Sequence, residues 1–299
     1  MNSLSFTDWA KQTQHQMEMV LEKTLPLVNE EPYKLNQAMS YATLDGGKRV
    51  RPLLAHATAA LFDSNAEAVE CVAAAVEMIH AYSLVHDDLP AMDNDVLRRG
   101  KPTCHIQFDE ATALLAGDAL QTQAFIVLAN APLAPSQAIE ALKLLAFASG
   151  AKGMAGGQAI DLASVGIALS LESLQQMHQM KTGALIRAAV LLGAYCQKDG
   201  ILPDSNTLSA LSSYAEKIGL AFQVVDDILD VEADSATLGK TAGKDAAADK
   251  PTYVSLLGLA EAKEKAARLH LDALAAIEPF GEKAKRLKEL ADYIVLRSY

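Results

Sequence analysis

Apolar residues recur at three- and four-residue spacing along most of the 299-residue chain. This spacing places apolar side chains on one face of an α-helix, whereas a half-buried strand would alternate apolar and polar residues. The predicted helices span residues 5–25, 34–44, 52–62, 66–88, 108–130, 136–150, 171–195, 205–230, 251–276 and 282–297. Proline, glycine and short polar breakers fall between these segments, so the pattern predicts an all-α fold.

Composition supports helices that pack on small and aliphatic side chains. Hydrophobic residues make up 51% of the chain and aromatic residues only 5%, while alanine and leucine are abundant. A chain of this kind buries a large core, and none of its breaker segments resembles an interdomain linker. We therefore expect residues 1–299 to form a single-domain bundle of ten or more helices.

Charge and cysteine usage narrow the class of protein. The net charge of −11 argues against a general nucleic-acid binder, but metal ions held by aspartates would still allow an anionic substrate. Cys71, Cys104 and Cys196 match no zinc-site spacing, so reduced thiols in the cytoplasm are expected. No signal-peptide pattern is present, and no stretch of about 20 residues is both charge-free and apolar throughout, so no membrane span is expected.

One acidic motif, DDILD, occupies residues 226–230. Asp226 and Asp230 are four residues apart, so on a helix they point the same way, with Asp227 beside them. Crowded carboxylates repel one another unless they bind a hard cation such as Mg²⁺. A solvated acidic helix end is the simpler interpretation of one such motif, but a second aspartate-rich motif favours a paired metal site.

That other motif, DDLPAMD, occupies residues 87–93 and also follows a predicted helix. Pro90 disfavours helical geometry at the preceding residue, so the helix should end just after Asp88 and Asp93 should lie on a loop. We predict that the loop curls back so that Asp87 and Asp93 share a metal ion, with Asp88 in a supporting position.

Basic residues lie where a diphosphate would need them. Lys48 and Arg51 are three residues apart in GGKRVRP, at the start of a predicted helix, and Arg98 and Arg99 follow the first acidic motif. Lys240, Lys244 and Lys250 lie in a polar loop after the second motif, where lysines are usually solvated.

His80 and Lys181 each have two interpretations. His80 lies seven residues before Asp87, on nearly the same helix face, so it either donates to a phosphate oxygen or is a buried structural histidine. Lys181 lies in the apolar segment MKTGALIRAA, where a charged partner is expected unless the ammonium reaches the surface.

The segment GAKGMAGGQAIDL, residues 150–162, is rich in glycine but lacks the GxGxxG and GK[ST] patterns of nucleotide-binding loops. Gly150, Gly153 and Gly157 are expected on one helical face, where a neighbouring backbone or a substrate chain can approach closely.

Together these segments resemble the trans-prenyltransferase family, and within it the bacterial farnesyl diphosphate synthases. The resemblance rests on GGKRVRP, EMIHAYSLVHDDLPAMDNDVLRRGKPTCH, LAGDALQTQAF, GGQAIDL, MKTGALIRAAV, GLAFQVVDDILD and LGKTAGKD, which follow the family's order. It implies an all-helical bundle around a deep central cavity, a homodimer, and two aspartate motifs that face each other across the cavity mouth.

The resemblance also implies residue roles. Mg²⁺, as three ions per active site, would be bound by Asp87, Asp93 and Asp226, assisted by Asp88, Asp227 and Asp230. The allylic diphosphate would be held by Arg98, Lys181, Thr182, Gln223, Lys240 and Lys250. Isopentenyl diphosphate would be held by Lys48, Arg51, His80 and Arg99. The catalytic residues would be Asp87, Asp88, Asp93, Arg98, Lys181, Asp226 and Asp227.

Product length depends on the helix before the first motif. Tyr82 precedes Asp87 by five residues and lies roughly 7.5 Å from it along a helix, so its ring would form the floor of the substrate tunnel, with the small Ser83 beside it. By resemblance, a bulky residue at this position implies condensation of isopentenyl diphosphate with dimethylallyl and geranyl diphosphates to farnesyl diphosphate. Simple packing of Tyr82 between helices is the alternative.

Three alternative functions remain at this point: a geranylgeranyl diphosphate synthase, a class I terpene cyclase, and a noncatalytic regulatory subunit of a prenyl synthase. A cyclase needs one diphosphate, which leaves the cations of GGKRVRP unexplained. A noncatalytic subunit would not need carboxylates and cations intact around both motifs.

Overall fold

The structure is a computed structural model that describes residues 4–44, 46–232 and 251–296. Helices account for most of these residues, and the β-strands among them are two residues long. The prediction of an all-α fold is confirmed.

The described α-helices range in length from four residues to 28. In chain order they are α1 (Phe6–Thr24), α2 (Tyr33–Thr43), α3 (Val50–Ala59), α4 (Ala66–Asp87), α5 (Cys104–Gln107), α6 (Glu110–Ala129), α7 (Pro135–Ser149), α8 (Met154–Ala163), α9 (Leu171–His178), α10 (Ala184–Tyr195), α11 (Ser205–Glu232), α12 (Tyr253–Leu257), α13 (Leu259–Ala276) and α14 (Lys285–Val295). Strands β1 (Leu97–Arg98) and β2 (Lys101–Pro102) pair antiparallel. Short 3₁₀ turns span Lys198–Gly200 and Glu278–Ala284, and a π-helical turn, Gln179–Gly183, joins α9 to α10.

The glycine-rich segment differs from its prediction. Helix α8 begins at Met154 with Gly153 as its N-cap, so Gly150 and Gly153 precede the helix and do not share a face with Gly157. Gly157 does allow a close approach, because a Cβ there would lie 2.2 Å from the backbone nitrogen of Lys181.

The chain forms two compact units, residues 1–142 with 192–202 and residues 143–191 with 203–299. The single domain predicted for residues 1–299 stays a prediction. In the first unit α4 is the central helix, and its N-cap Asn65 accepts hydrogen bonds from the backbone N–H groups of Glu67 and Ala68. Residues 73–75 are fully buried alanines, so α4 is covered on several sides by α1, α2, α3 and α6.

In the second unit α11 packs along α13 and α14. Val224, Val225 and Ile228 lie in the apolar core of this unit. The fully buried Tyr214 donates its hydroxyl to the carbonyl of Leu287 at 2.7 Å, which satisfies a polar group that would otherwise be costly to bury. The second acidic motif therefore lies on a helix that is firmly packed.

Two of the described helices, α4 and α6, are long and apolar enough to cross a membrane by length and composition alone. In the most apolar window of α4, 72% of the residues are buried inside the protein, and in that of α6 the share is 39%. The core helix of a soluble protein passes the same test, so these two helices are weak evidence for a membrane span.

Candidate active site

The loop after α4 folds back on the end of the helix. The backbone N–H of Asp93 donates to the carbonyl of Asp87 at 2.8 Å, and that of Asp95 donates to the carbonyl of Asp88 at 3.2 Å. Asn94 adopts φ 51°, a left-handed conformation that asparagine tolerates better than most residues. The backbone therefore brings Asp93 beside Asp87.

Asp88 differs from the other aspartates of this motif. Its buried carboxylate accepts from Nε of Arg98 at 2.9 and 2.8 Å and from Nη2 at 2.6 Å. Burial raises the pKa of Asp88, and the Arg98 guanidinium opposes that rise. Arg98 lies on strand β1, which pairs with β2; the sequence pattern predicted neither strand. Asp88 therefore orients Arg98 beside the first motif.

Three of the predicted cations lie around the loop that precedes α3. Gly47 has φ 90°, and a Cβ there would lie 2.6 Å from Nη1 of Arg99, so glycine allows this guanidinium to rest against the loop. Lys48 is exposed on the same loop, where its carbonyl accepts from Nε2 of Gln14 at 2.9 Å. Arg51 follows in the first turn of α3.

His80 lies on α4 within electrostatic reach of this group. Burial, followed by the guanidiniums of Arg51 and Arg99, holds the pKa of His80 well below its ordinary value. The imidazole is therefore neutral at pH 7 and has one N–H to donate to a phosphate oxygen. The phosphate-binding role of His80 stays a prediction.

Arg49, for which the sequence predicted no role, stabilises the loop before α3 through its side-chain hydrogen bonds. Its guanidinium donates to Glu77 at 2.7 Å, to Glu18 at 2.8 Å and to the carbonyl of Thr43 at 2.6 Å. The side chains of Arg49 and Glu77 are only 2% and 3% exposed. Arg49 is also the N-cap of α3 with φ 49°, a strained conformation that persists only where surrounding contacts determine it. Its signal in the sequence was its place between two site cations, Lys48 and Arg51.

The three aspartates of the second motif have different surroundings on α11. Asp226 is half-buried, whereas Asp227 and Asp230 are each 6% exposed. Oδ2 of Asp227 accepts from the backbone N–H of Tyr253, the first residue of α12, at 2.7 Å. Asp227 therefore anchors the start of α12, while Asp226 is more accessible to a ligand.

Lys181 and Thr182 lie on a π-helical turn, so the helix predicted for residues 171–195 is continuous but changes from α-helical to π-helical hydrogen bonding at this point. The turn packs against Gly157 on α8, and on α11 a Cβ at Gly219 would lie 3.1 Å from Cα of Gly183. The Thr182 hydroxyl donates to Oε1 of Gln223 at 2.5 Å. π-Turns of this kind are frequent at functional sites.

Lys181 has the charged partner that the sequence predicted. Its Nζ lies 2.5 Å from Oδ2 of Asp161, a residue of α8 whose side chain is 8% exposed. Asp161 was not identified as a site residue, although it stands in the GGQAIDL segment. The structure thus brings Lys181, Thr182 and Gln223 together, with Asp161 as the counter-charge.

The remaining predicted residues are placed as follows. Tyr82 is 8% exposed on α4, and Ser83 donates its hydroxyl to the carbonyl of His80 at 2.8 Å. Lys240 and Lys250 lie outside the described residues.

The donor chemistry of the two motifs fits Mg²⁺. Within the described residues, no group of three or more His, Cys, Asp or Glu side chains converges on one point. Mg²⁺ commonly takes one or two protein carboxylates and completes its octahedron with water and substrate phosphates. Asp87 with Asp93, and separately Asp226, offer carboxylates suited to that role.

Acidic motifs beside clustered cations, on an all-α scaffold, define a class of metal-dependent enzymes that act on diphosphates. The Polyprenyl synthetase family matches residues 32–294 of this chain. The chain belongs to that family.

Individual relatives are similar over nearly the whole chain. A farnesyl diphosphate synthase of Haemophilus influenzae is 47% identical over 98% of this chain and 98% of its own length. An FPP/GFPP synthase structure from Zymomonas mobilis is 40% identical, with a TM-score of 0.87 over 97% of this chain and 98% of that one. A Helicobacter pylori geranyltransferase, complexed with magnesium and isoprenyl diphosphate, is 35% identical, with a TM-score of 0.84 over 99% of this chain and 98% of that one.

Proposed function

We propose that this protein is a short-chain trans-prenyltransferase that condenses isopentenyl diphosphate with dimethylallyl and geranyl diphosphates to farnesyl diphosphate. The observation that carries this function is the return of Asp93 onto Asp87, with the Asp93 N–H 2.8 Å from the Asp87 carbonyl. Oxygen donors for a metal are thereby gathered beside Arg98 and near the cations around Gly47. The similarity to the Haemophilus influenzae farnesyl diphosphate synthase supports the same product.

The residues of the site suit an ionisation followed by an addition. In the reaction, the bond between C1 and oxygen of the allylic diphosphate breaks and leaves an allylic cation. The isopentenyl double bond then attacks that cation, and the departed diphosphate takes the proton that is lost. By the roles that the resemblance implies, Arg98, Lys181 and Thr182 would hold the departing group and stabilise the charge that develops on it.

A second set of residues would hold isopentenyl diphosphate. Lys48, Arg51 and Arg99 supply positive charge, and neutral His80 supplies one hydrogen bond without adding to the repulsion among these cations. Bound Mg²⁺ would neutralise charge on the allylic diphosphate. Three Mg²⁺ ions per active site, with aspartates of both motifs as ligands, belong to the proposal.

Incubation of the protein with Mg²⁺, isopentenyl diphosphate and dimethylallyl diphosphate tests the function directly. Farnesyl diphosphate is expected as the main product by mass spectrometry, and chelation of the metal should abolish its formation. Folded, metal-loaded protein that forms no condensation product would refute the enzyme and leave the noncatalytic subunit as the alternative.

Replacing Tyr82 by alanine is expected to lengthen the product beyond farnesyl, because removal of the buried ring would open the floor of the tunnel. Chain lengths are measured by mass spectrometry with isopentenyl and geranyl diphosphates as substrates. Ser149→Ala, which removes a hydroxyl that is bonded within its own helix, α7, is the control and should keep the wild-type product. A wild-type product from Tyr82→Ala would show that the ring only packs between helices.

A homodimer in the cytoplasm completes the proposal. Leu114, Leu115 and Ile126 of α6 are 48%, 56% and 47% exposed, an apolar surface suited to a second copy of the chain. All three cysteines are free, which fits a reducing compartment. Light scattering of the purified protein measures the mass in solution, and a monomer would contradict the dimer.

A further inference from the structure

The ring of His86 lies edge-on against the ring of Tyr82. The two ring centroids are 5.6 Å apart and the ring planes are inclined at 83°. The residues are four apart on α4, so both side chains leave the helix on the same face. Edge-to-face packing of this kind is an attractive geometry for two rings, so each restricts the orientation of the other.

Helix α6 holds the His86 ring in place. Nε2 of His86 lies 2.9 Å from the carbonyl oxygen of Leu114, so Nε2 carries the proton and donates it. A Cβ at Gly117, one turn further along α6, would lie 2.0 Å from the same Nε2. The ring therefore occupies the space that a side chain at position 117 would fill.

The same face of α6 also contacts the hydroxyl end of Tyr82. Gln121, four residues after Gly117, lies near the Tyr82 hydroxyl, and its side chain opposes the rise that burial causes in the pKa of Tyr82. Leu114, Gly117 and Gln121 follow one another at the three- and four-residue spacing of one helix face. The Tyr82 ring thus packs against His86, and its hydroxyl end faces Gln121.

Glycine inside a helix is unfavourable, because it leaves the unfolded backbone more freedom to lose on folding. Gly117 is buried within the 20-residue helix α6, and a packing reason is therefore expected for it. The imidazole of His86 supplies that reason.

We propose that His86 is a positioning residue for product length, which acts by fixing the Tyr82 ring over the end of the substrate tunnel. The proposal rests on the proposed function of Tyr82 as the tunnel floor. The tunnel floor then consists of two packed rings, Tyr82 and His86, and the His86 ring lies against Gly117. His86 contacts no reacting atom in this arrangement.

The test compares product lengths, with Mg²⁺, isopentenyl diphosphate and geranyl diphosphate, for wild type, Tyr82→Ala, His86→Ala and the double variant. His86→Ala is expected to raise the share of products longer than farnesyl by about two- to tenfold, the ratio that loss of one aromatic pair produces. Tyr82→Ala should raise it further. The double variant should match Tyr82→Ala alone, because His86 acts only through that ring.

Gly117 gives an independent arm of the same test. A methyl group at Gly117→Ala would displace the imidazole, so longer products are expected from it. In His86→Ala combined with Gly117→Ala, the methyl group enters the space that the ring has left, and the products should equal those of His86→Ala. His56→Ala, which removes an imidazole from α3 in the same unit, is the matched control and should keep the wild-type product.

The outcomes separate the inference from the function on which it rests. Wild-type products from His86→Ala, with longer products from Tyr82→Ala, would overturn the positioning role and leave the floor intact. A disturbed metal site next to Asp87 would lower the rate of the first condensation without changing the product ratio, and that result would also overturn the role. Failure of wild-type protein to condense the substrates, or unchanged products from Tyr82→Ala, would refute the proposed function or its tunnel floor.

Discussion

Replacing Asp226 by alanine is expected to lower kcat by about 10²- to 10³-fold, the scale of removing one preorganised group that stabilises developing charge. Its partly exposed side chain on α11 would hold a metal ion that stabilises charge on the departing diphosphate. The Mg²⁺ concentration for half-maximal rate should rise as well. Because Asp226 is not buried, the melting temperature should change little. Steady-state rates over a series of Mg²⁺ concentrations measure both effects.

Asp227→Ala is the matched control, one position along the same helix. It removes the acceptor of the Tyr253 N–H, and Tyr253 is fully buried. A buried donor left unsatisfied lowers the free energy of unfolding by about 1–3 kcal/mol. We therefore expect Asp227→Ala to affect stability more than Asp226→Ala does. Equal losses of kcat and of stability in the two variants would show that the aspartates do not divide their roles in this way.

Replacing Arg49 by alanine is expected to lower the free energy of unfolding by about 3–5 kcal/mol, because Glu77 would remain buried without its partner. The measurement is urea denaturation followed by circular dichroism. Lys198→Ala removes an ion pair with Asp63 in which both side chains are more than half exposed, and it should cost less than about 1 kcal/mol.

Two further variants distinguish the loss of the ion pair from the backbone strain at Arg49. Arg49→Gly relieves the left-handed strain at φ 49° but still leaves Glu77 unpaired, so it should remain clearly destabilised. Arg49→Met combined with Glu77→Met removes both charges and should recover much of the loss. A double variant no more stable than Arg49→Ala would argue against the buried charge as the cause.

Local rules predicted much of the fold and part of the site from the sequence. Pro90 indicated the end of α4, and the structure ends that helix at Asp87. Burial of Lys181 in an apolar segment predicted a charged partner, because an isolated ammonium is costly there. Spacing did not reveal that the partner is Asp161, because the two residues lie on different helices.

Contacts between distant segments account for most of what the sequence pattern missed. The spacing within DDILD does not distinguish its three aspartates, yet Oδ2 of Asp227 accepts a hydrogen bond from a backbone N–H that belongs to α12. Arg49 resembles one more cation of a basic loop, yet Glu18 and Glu77 come from two other helices. No periodicity within one helix encodes such pairings.

The π-helical turn at Gln179–Gly183 changes the direction in which the side chains of the following helix, α10, point around the helix axis. A turn with i→i+5 bonds holds the equivalent of one extra residue, and each residue of an α-helix advances by about 100°. A helical wheel drawn without interruption from Leu171 would therefore place the buried residues of α10 on the wrong side. An insertion or deletion of one residue in this turn would rotate α10 against its neighbours, so the packing of α10 constrains the number of residues between α9 and α10.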